Sequence, residues 1–418
     1  MRPVNPIAYA IPFFFALIGV EVWVAKRRKR EVYRLPDALS DLGCGVLQQT
    51  LGVFTRVFLL AGYALVYDQF HLLEISTSSV LGWVVIFFAV DHQYYWFHRA
   101  SHQVNFLWAA HVVHHQSEDY NLAVALRQSA IQPLFSFWFY LPLALVGFPP
   151  TMFFVTVALN TLYQFWIHTE LVGSLGPLEK LINTPSHHRV HHGRNPRYID
   201  RNHAGMLIIW DKMFGTFEPE GEKLIYGITR PARSWSPVWV NFHAWRDLIG
   251  LARKTPRLSE KLAVPFMKPG WHPASAPQHD EGYYARLEDP KFDPWAPASY
   301  RLYALFQFVL ATGVAIALLG RTREGIDARD VAGGVFVTAT MIVVGGLLEG
   351  RRWIVLAETA RLIVTLAVVL EVIRRALVPT PAAVALLGVF VASAIGFMMA
   401  LRARSEMPGI AARDGALP

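Results

Sequence analysis

Residues 183–195 read NTPSHHRVHHGRN, a segment that contains four histidines within six positions. Clustered imidazoles are unfavourable by themselves, because protonated rings repel one another and neutral rings need partners for both nitrogens. A metal ion removes this conflict, since it accepts the lone pairs of several rings. His188, His191 and His192 share one face of a helix, with His187 beside them, so the segment predicts one part of a metal site.

Further histidines occur in three other segments. One face of the helix predicted for DHQYYWFHRASH, residues 91–102, carries Asp91, Tyr95, His98 and His102. The segment HVVHH repeats the helical spacing with His111, His114 and His115. The segment QFWIH ends on His168, one turn after Gln164. These groups all follow long apolar runs, so we expect them to meet at one membrane boundary.

The number of histidines indicates more than one metal ion. The pattern H-x3-H, H-x2-HH and H-x2-HH provides eight imidazoles and His168 adds a ninth, a set that suits two ions of iron or zinc with open coordination positions. A structural zinc site would need only four ligands. Cys44 is the only cysteine, which excludes iron–sulfur clusters and intrachain disulfides. Redox-active iron pairs with open positions can activate dioxygen.

The composition is that of a membrane protein. Of the 418 residues, 53% are hydrophobic, and the mean hydropathy is +0.30. The net charge of +8 fits loops that face anionic lipid, and no nucleic-acid-binding motif accompanies it. Nine apolar runs are long enough to be predicted as membrane spans. They cover residues 4–24, 42–67, 80–97, 131–148, 151–172, 302–319, 331–348, 353–372 and 382–401.

The topology follows from KRRKR, which comes directly after the first run and predicts a cytoplasmic end for it. Alternation then predicts that Phe97, Val172 and a cap formed by residues 173–298 lie on the cytoplasmic side, with the histidine groups at this boundary. We therefore expect an all-α, polytopic membrane fold. Its predicted parts are a metal-binding domain (1–298), a C-terminal region of four spans (299–401) and a flexible tail (402–418).

The segments around the histidines resemble the fatty acid hydroxylase/sterol desaturase superfamily of membrane di-iron oxygenases. Within it, the glyceryl-ether (alkylglycerol) monooxygenase branch is the most similar. The resemblance is carried by DHQYYWFHRASHQVNFLWAAHVVHHQSEDYNLAVALRQS, YQFWIHTE, GPLEKLINTPSHHRVHHGRNPRYIDRNHAG and IIWDKMFGTFEPE. It implies a metal-ligand set of His98, His102, His111, His114, His115, His188, His191 and His192, completed by His168 and His187. Two positions depart from the expected pattern: Gln164, where many members have histidine, and His203, where we expect an aromatic residue.

Other polar residues near these segments are candidates for catalysis and recognition. Asp91 is a carboxylate inside an apolar run, so we expect it to hydrogen-bond a ligand histidine. After the second histidine group, the polar candidates are Glu118 and Asn121 for catalysis and Tyr120, Arg127 and Gln128 for binding a headgroup or pterin. A solvated loop is the alternative for this stretch. The resemblance also implies two iron ions, O2 and tetrahydrobiopterin or another external electron donor.

Three functions are compatible with these features. The first is a monooxygenase that oxidises the carbon next to the ether bond of an alkylglycerol lipid and yields a fatty aldehyde. The second is a hydroxylase or desaturase of a sterol, carotenoid or fatty acyl chain with the same metal centre. The third is a divalent-metal transporter, although transport sites usually lie near the bilayer midplane rather than at its boundary.

Overall fold

A computed structural model describes residues 6–277, 285–321 and 326–405. As the sequence predicts, these residues are all-helical, with fourteen α-helices and no strand. The first seven are α1 (Pro6–Arg27), α2 (Leu35–Phe70), α3 (Val80–Gln103), α4 (Asn105–His111), α5 (Gln132–Val146), α6 (Pro150–Trp166) and α7 (Pro185–His192). The others are α8 (Ile209–Met213), α9 (Pro237–Lys254), α10 (Leu258–Ala263), α11 (Ala298–Arg321), α12 (Ala328–Leu348), α13 (Ile354–Arg374) and α14 (Thr380–Ser405). Short 3-10 helices occur at Val112–His115, Val124–Leu126 and Gly176–Lys180.

Each of the nine predicted spans coincides with a helix, but only four described helices are both long enough and apolar enough to cross a membrane. These are Leu35–Phe70, Ala298–Arg321, Ala328–Leu348 and Thr380–Arg402. The other helices are shorter or more polar: α5 has 15 residues, and the second half of α3 carries Asp91 and three histidines. The four helices identify an integral membrane protein, whereas the count of nine stays a prediction. Residues 4–5 of the first run and 406–418 of the predicted tail lie outside the described residues.

A tight hairpin joins α5 to α6 and directs the chain back toward the histidines. Gly147 ends α5 with a φ of 115°, a conformation that residues with a side chain rarely adopt. A Cβ atom at this position would lie 1.8 Å from the carbonyl oxygen of Leu73, so the close approach of the two segments also requires glycine. Pro150 begins α6, and His168 follows two residues after α6 ends.

Helix α2 connects the two halves of the molecule. Its Tyr63 packs with α5 and α6 in one apolar core, stacked on Phe153. Its Leu39 and Leu47 belong to a second core, formed mainly by α11 and α12. The boundary predicted at residue 298 therefore does not separate two independent cores, although the division into domains stays a prediction.

The span predicted at 353–372 contains two charged residues, Glu358 and Arg361, whose i, i+3 spacing predicts a pair, and this pair is present inside α13. Both Nε and Nη2 of Arg361 donate to the carboxylate of Glu358, each at 2.7 Å. Gln307 of α11 accepts a further hydrogen bond from Arg361, and Thr340 of α12 lies 3.3 Å from its guanidinium. Because both charges are paired and buried between three helices, they can occupy an apolar region of the fold.

Candidate metal centre

The predicted histidines converge on two adjacent groups, all of them buried. The first group consists of His98, His102, His111, His115 and His191. The second group consists of His114, His168, His188 and His192. Within each group, one ring nitrogen from every histidine lies within 4.8 Å of the others. We call them the five-histidine cluster and the four-histidine cluster.

Neighbouring histidines in the sequence separate into different clusters. His191 belongs to the five-histidine cluster, whereas His192, the next residue of α7, belongs to the four-histidine cluster. His115 and His114 divide in the same way. Adjacent residues on a helix point about 100° apart, so a doubled histidine can serve two neighbouring ions. The duplication in H-x2-HH thus has a geometric reason.

The second histidine group does not form the single α-helix that its spacing predicts. His111 ends α4, and Val112–His115 continues as a tighter 3-10 turn. The change of helix type still lets His111 and His115 approach each other, with their Nε2 atoms 3.1 Å apart. The expectation of one continuous helix face for all three histidines is therefore wrong, because His114 points to the other cluster.

The nitrogen positions fit bound metal ions. His168 Nε2 lies 3.2 Å from His114 Nε2 and 3.0 Å from His188 Nε2. Two imidazoles that ligate one ion at about 2.1 Å and at a right angle would be about 3 Å apart. Several other ring nitrogens are buried without a protein partner, a costly arrangement unless a ligand occupies the site. They are Nε2 of His98, His102, His191 and His192 and Nδ1 of His188.

Nδ1 donates a hydrogen bond in most of these rings, which orients the ring and leaves Nε2 to face the cluster. The acceptors are mainly backbone carbonyls: His203 for His98 (2.8 Å), Arg201 for His191 (2.9 Å), Arg127 for His114 (3.1 Å) and Gln164 for His168 (2.7 Å). The side-chain oxygen of Gln132 serves His111 at 2.8 Å. Such contacts fix the tautomer and direct the lone pair of Nε2 into the cluster.

Burial also keeps these imidazoles neutral. Loss of solvation lowers the pKa of His111 and of His168 to about 4, because the protonated ring is poorly solvated inside the protein. The pKa of His192 also falls well below its ordinary value, through burial and then through its neighbour His114. At neutral pH the rings therefore present lone pairs rather than positive charges.

A short loop, residues 200–204, orients three histidines of the five-histidine cluster. The carbonyls of Arg201 and His203 accept hydrogen bonds from His191 and His98, and the carboxylate of Asp200 lies 3.5 Å from Nδ1 of His102. Asp211, at the start of α8, holds this loop, since its two oxygens accept the N–H groups of His203 and Ala204 at 2.7 Å each. Asp211 is fully buried. Sequence reasoning did not single it out, because its function is visible only through the backbone that it binds.

Asp91 supports the segment that follows this loop. Its carboxylate accepts from the backbone N–H groups of Met206 and Leu207, from the indole of Trp210 and from the amide of Asn160. None of these described partners is a histidine. The expectation of a direct hydrogen bond to a ligand is therefore corrected: Asp91 holds the backbone at Met206 and Leu207, directly after the loop that contacts the rings.

Three further residues bear on the ligand set: Gln164 and His203, which depart from the family pattern, and the predicted ligand His187. The Gln164 side chain donates to Asn160 Oδ1 at 2.5 Å, and a glutamine at this position leaves the four-histidine cluster without a further imidazole. His187 also lies outside both clusters, with its ring against Phe217. His203 is fully buried beside the five-histidine cluster, 5.0 Å from His102 between ring centroids, and its Nδ1 has no protein partner.

The polar residues after the second histidine group are mostly buried and bound to the protein, so a solvated loop does not describe them. The Arg127 guanidinium contacts Asp41, Ser40, Gln116 and the carbonyl of Val113. Asn121 donates to the carbonyl of Val32, and the carboxylate of Glu118 accepts from the N–H of Phe292. Tyr120 stacks between His168 and Tyr226, whereas Gln128 is half-buried, 3.4 Å from Nδ1 of His114.

The chain is similar to known lipid monooxygenases. The fatty acid hydroxylase family model matches residues 83–216, the segment that contains both clusters. Alkylglycerol monooxygenase of Xenopus tropicalis is 40% identical over 84% of this chain and 79% of its own length. The Homo sapiens protein of that name is 40% identical over 84% of this chain and 80% of its own, and the Danio rerio protein 44% over 74% and 70%. No solved structure is significantly similar.

These similarities extend well beyond the histidines, and they identify the chain as an oxidoreductase of the monooxygenase class. The metal-transporter alternative therefore has no support from its relatives. Since two buried imidazole clusters lie in the matched segment and the identity covers most of both chains, this protein belongs to the alkylglycerol monooxygenase family.

Proposed function

We propose that this enzyme oxidises the carbon next to the ether oxygen of an alkylglycerol lipid. One oxygen atom of O2 enters that C–H bond, and the other leaves as water after taking up two electrons and two protons. The product is a hemiacetal, which collapses to a fatty aldehyde and a glycerol derivative. Two adjacent clusters of buried histidines, within a chain 40–44% identical to alkylglycerol monooxygenases, carry the proposal.

The proposal assigns one iron ion to each histidine cluster. Bound there, the pair would supply the chemistry that activates O2. The protein's part is to hold the rings neutral and oriented, through the carbonyls and side chains that accept from Nδ1. We assign ligand roles to the nine clustered histidines. His187, outside both clusters, we assign to packing against Phe217.

An alkylglycerol suits a site at a membrane boundary. His98 and His102 lie in the last two turns of α3, directly after the apolar run 80–97. A lipid whose chain lies in the bilayer would bring its ether linkage, close to the headgroup, to this level. Holding one carbon near the metals supplies much of the rate of such reactions. We place this boundary on the cytoplasmic side, as the positive residues after α1 predict.

The polar residues beside the four-histidine cluster divide into two roles in this proposal. Tyr120 and Gln128 are close enough to the rings to contact a headgroup or pterin. Arg127 and Asn121 act by positioning, since their side-chain donors are occupied by protein acceptors. Glu118 we assign to positioning for the same reason, because its carboxylate holds the backbone at Phe292.

The two electrons come from outside the chain in this proposal. The sequence has no dinucleotide fingerprint, so a soluble reductant or a partner protein must deliver them. A tetrahydropterin is the donor implied by the family resemblance, and it can release two electrons as it becomes a dihydropterin. Hydroxylation of a sterol, carotenoid or fatty acyl chain would need the same electrons and remains the rival reaction.

The test is aerobic incubation of purified, iron-loaded protein with an alkylglycerol and tetrahydrobiopterin under ¹⁸O2. We expect fatty aldehyde, with ¹⁸O in the aldehyde before it exchanges with water. The matched control is the ester-linked lipid with the same chain, which should remain intact because a carbonyl occupies the carbon to be oxidised. Hydroxylated sterol or fatty acid, without aldehyde from the ether, would replace this proposal with the rival reaction.

A further inference from the structure

Helices α9 and α10 expose a row of large apolar side chains that no other described part of the chain covers. Phe242 and Ile249 of α9 are 54% and 48% exposed. Around α10, Leu258, Leu262 and Phe266 are each more than 60% exposed. A group of this size on a water-facing cap would be unfavourable, and such groups mark surfaces that meet another apolar phase. We call these five residues the α9–α10 face.

One end of the α9–α10 face lies beside the C-terminal turns of α12. Trp239 and Phe242 line a groove of about 380 Å³ together with Ile342 and Gly346, which belong to the last two turns of α12. Since α12 is one of the four helices able to cross a membrane, its C-terminal turns lie near a bilayer surface. Phe242 therefore lies beside the C-terminal turns of a helix that is long and apolar enough to cross a membrane.

The middle and the far end of the α9–α10 face contact the ends of two other helices, α5 and α4. Trp245 of α9 stacks on Phe135, in the first turn of the apolar helix α5. The segment after α10 is hydrogen-bonded to the start of α4, where Asn105 and Phe106 donate to the carbonyls of Met267 and Pro265 at 2.9 Å each. Because α4 follows α3 directly, these contacts hold Phe266 close to the end of the α3 span.

The charges around the face match an anionic surface. Between residues 237 and 268 there are six basic and two acidic residues. The basic residues are Arg246, Arg253, Lys254, Arg257, Lys261 and Lys268. Apolar residues interspersed with arginine, lysine and tryptophan are typical of helices that lie in a membrane interface. Each basic residue near an anionic bilayer contributes about 1 kcal/mol of attraction.

We propose that α9 and α10 lie in the plane of the membrane, with Phe242, Ile249, Leu258, Leu262 and Phe266 inserted among the headgroups of anionic lipid. The part of the predicted cap between residues 237 and 268 is then a monotopic membrane surface. It lies beside the 3-10 turn with His114 and His115, to which Gln116 joins it by a hydrogen bond to the carbonyl of Val240. This inference concerns membrane contact and does not depend on the substrate.

Single spin-labelled cysteines test the proposal in the full chain. Cys44 is the only cysteine and is buried, so Cys44→Ala gives a background without reactive thiols. Labels are introduced by Ile249→Cys, Leu262→Cys and Phe266→Cys, with Lys223→Cys as an exposed aqueous reference and Val309→Cys, on α11, as a lipid reference. The protein is placed in nanodiscs with or without anionic phosphatidylglycerol. Accessibility to O2, which concentrates in lipid, is compared with accessibility to a water-soluble nickel chelate.

We expect nickel accessibility at the three test sites to be several-fold lower than at residue 223, with O2 accessibility between those of the two references. This corresponds to insertion by roughly 5–10 Å. The labels should insert more deeply in the anionic nanodiscs than in those without phosphatidylglycerol. Equal insertion in both would overturn the preference for anionic lipid. If the labels at the three test sites are as accessible to the nickel chelate as the label at residue 223, the proposal is overturned. The α9–α10 face would then be a surface that binds a soluble protein. Size-exclusion profiles identical to the background protein verify folding of each variant.

Discussion

The backbone carbonyl of His203 accepts a hydrogen bond from Nδ1 of His98 at 2.8 Å, and the N–H of the same residue donates to Asp211 at 2.7 Å. Asp211 is thus connected to a ring of the five-histidine cluster through a single residue, His203. His191 is held in the same way by the carbonyl of Arg201. A carboxylate that touches none of the nine clustered histidines therefore holds the carbonyl that orients His98.

Asp211→Asn should weaken metal binding in the five-histidine cluster only. An amide offers one acceptor where the carboxylate offers two, so one N–H of the loop would meet an NH2 group. Loss of a contact of this kind typically costs 10–100-fold in metal affinity, about the range expected here. Metal titration of the apoprotein, followed by elemental analysis, measures it. Asp247→Asn, at an exposed site, is the control, and unchanged affinity in Asp211→Asn would contradict the assignment.

Asp91→Asn should have a related but more general effect. Asp91 connects α3, α6 and the segment 206–210 through four hydrogen bonds, so its replacement disturbs the packing behind both clusters. We expect a loss of metal affinity or activity of about 10–100-fold, with a lower thermal unfolding temperature. Asp91→Glu tests whether charge alone is sufficient. If Asp91→Asn keeps its full metal content, its full activity and its unfolding temperature, Asp91 does not support the clusters.

Much of this site could be predicted from the sequence, because histidine spacing reports helix geometry directly. Nine of the ten predicted ligands lie in the clusters, and the Glu358–Arg361 pair follows from its i, i+3 spacing. The sequence could not assign His114 and His115 to different clusters. Spacing gives the angle between two side chains around a helix but not the position of a second metal site. Asp211 and Asp91 act through backbone groups of distant segments, and that pairing is decided by tertiary structure. His203 reaches the cluster for the same reason.

Acidification should destabilise the metal-free protein. Burial lowers the pKa of His111 and His168 to about 4, whereas the unfolded chain has the ordinary value near 6.5. The unfolded state thus binds more protons between these values, and the contribution is fully present above pH 6.5 and lost as the pH falls toward 4. Each histidine contributes up to about 3 kcal/mol across this window. Thermal unfolding in detergent at several pH values measures it, and His168→Gln should have a shallower slope. A flat profile from pH 7 to 4.5 would contradict this account.

The orientation in the membrane can be tested with two exposed positions on predicted opposite sides. Lys223 lies in the predicted cytoplasmic region, and Glu74 lies between α2 and α3 on the predicted outer side. In the Cys44→Ala background, an impermeant thiol reagent applied to intact cells should label Glu74→Cys, but Lys223→Cys only after permeabilisation. Labelling of Lys223→Cys from outside would reverse the orientation and with it the cytoplasmic site.

The most direct test of the two-cluster account is the iron content of three purified proteins: the wild type, His102→Ala and His188→Ala. His102 belongs to the five-histidine cluster and His188 to the four-histidine cluster. We predict close to two iron ions per chain in the wild type and close to one in each variant; a fourth protein, the double variant, should retain almost none. One iron ion or none in wild-type protein prepared without chelators, or two ions in either single variant, would contradict the claim that each cluster holds its own metal.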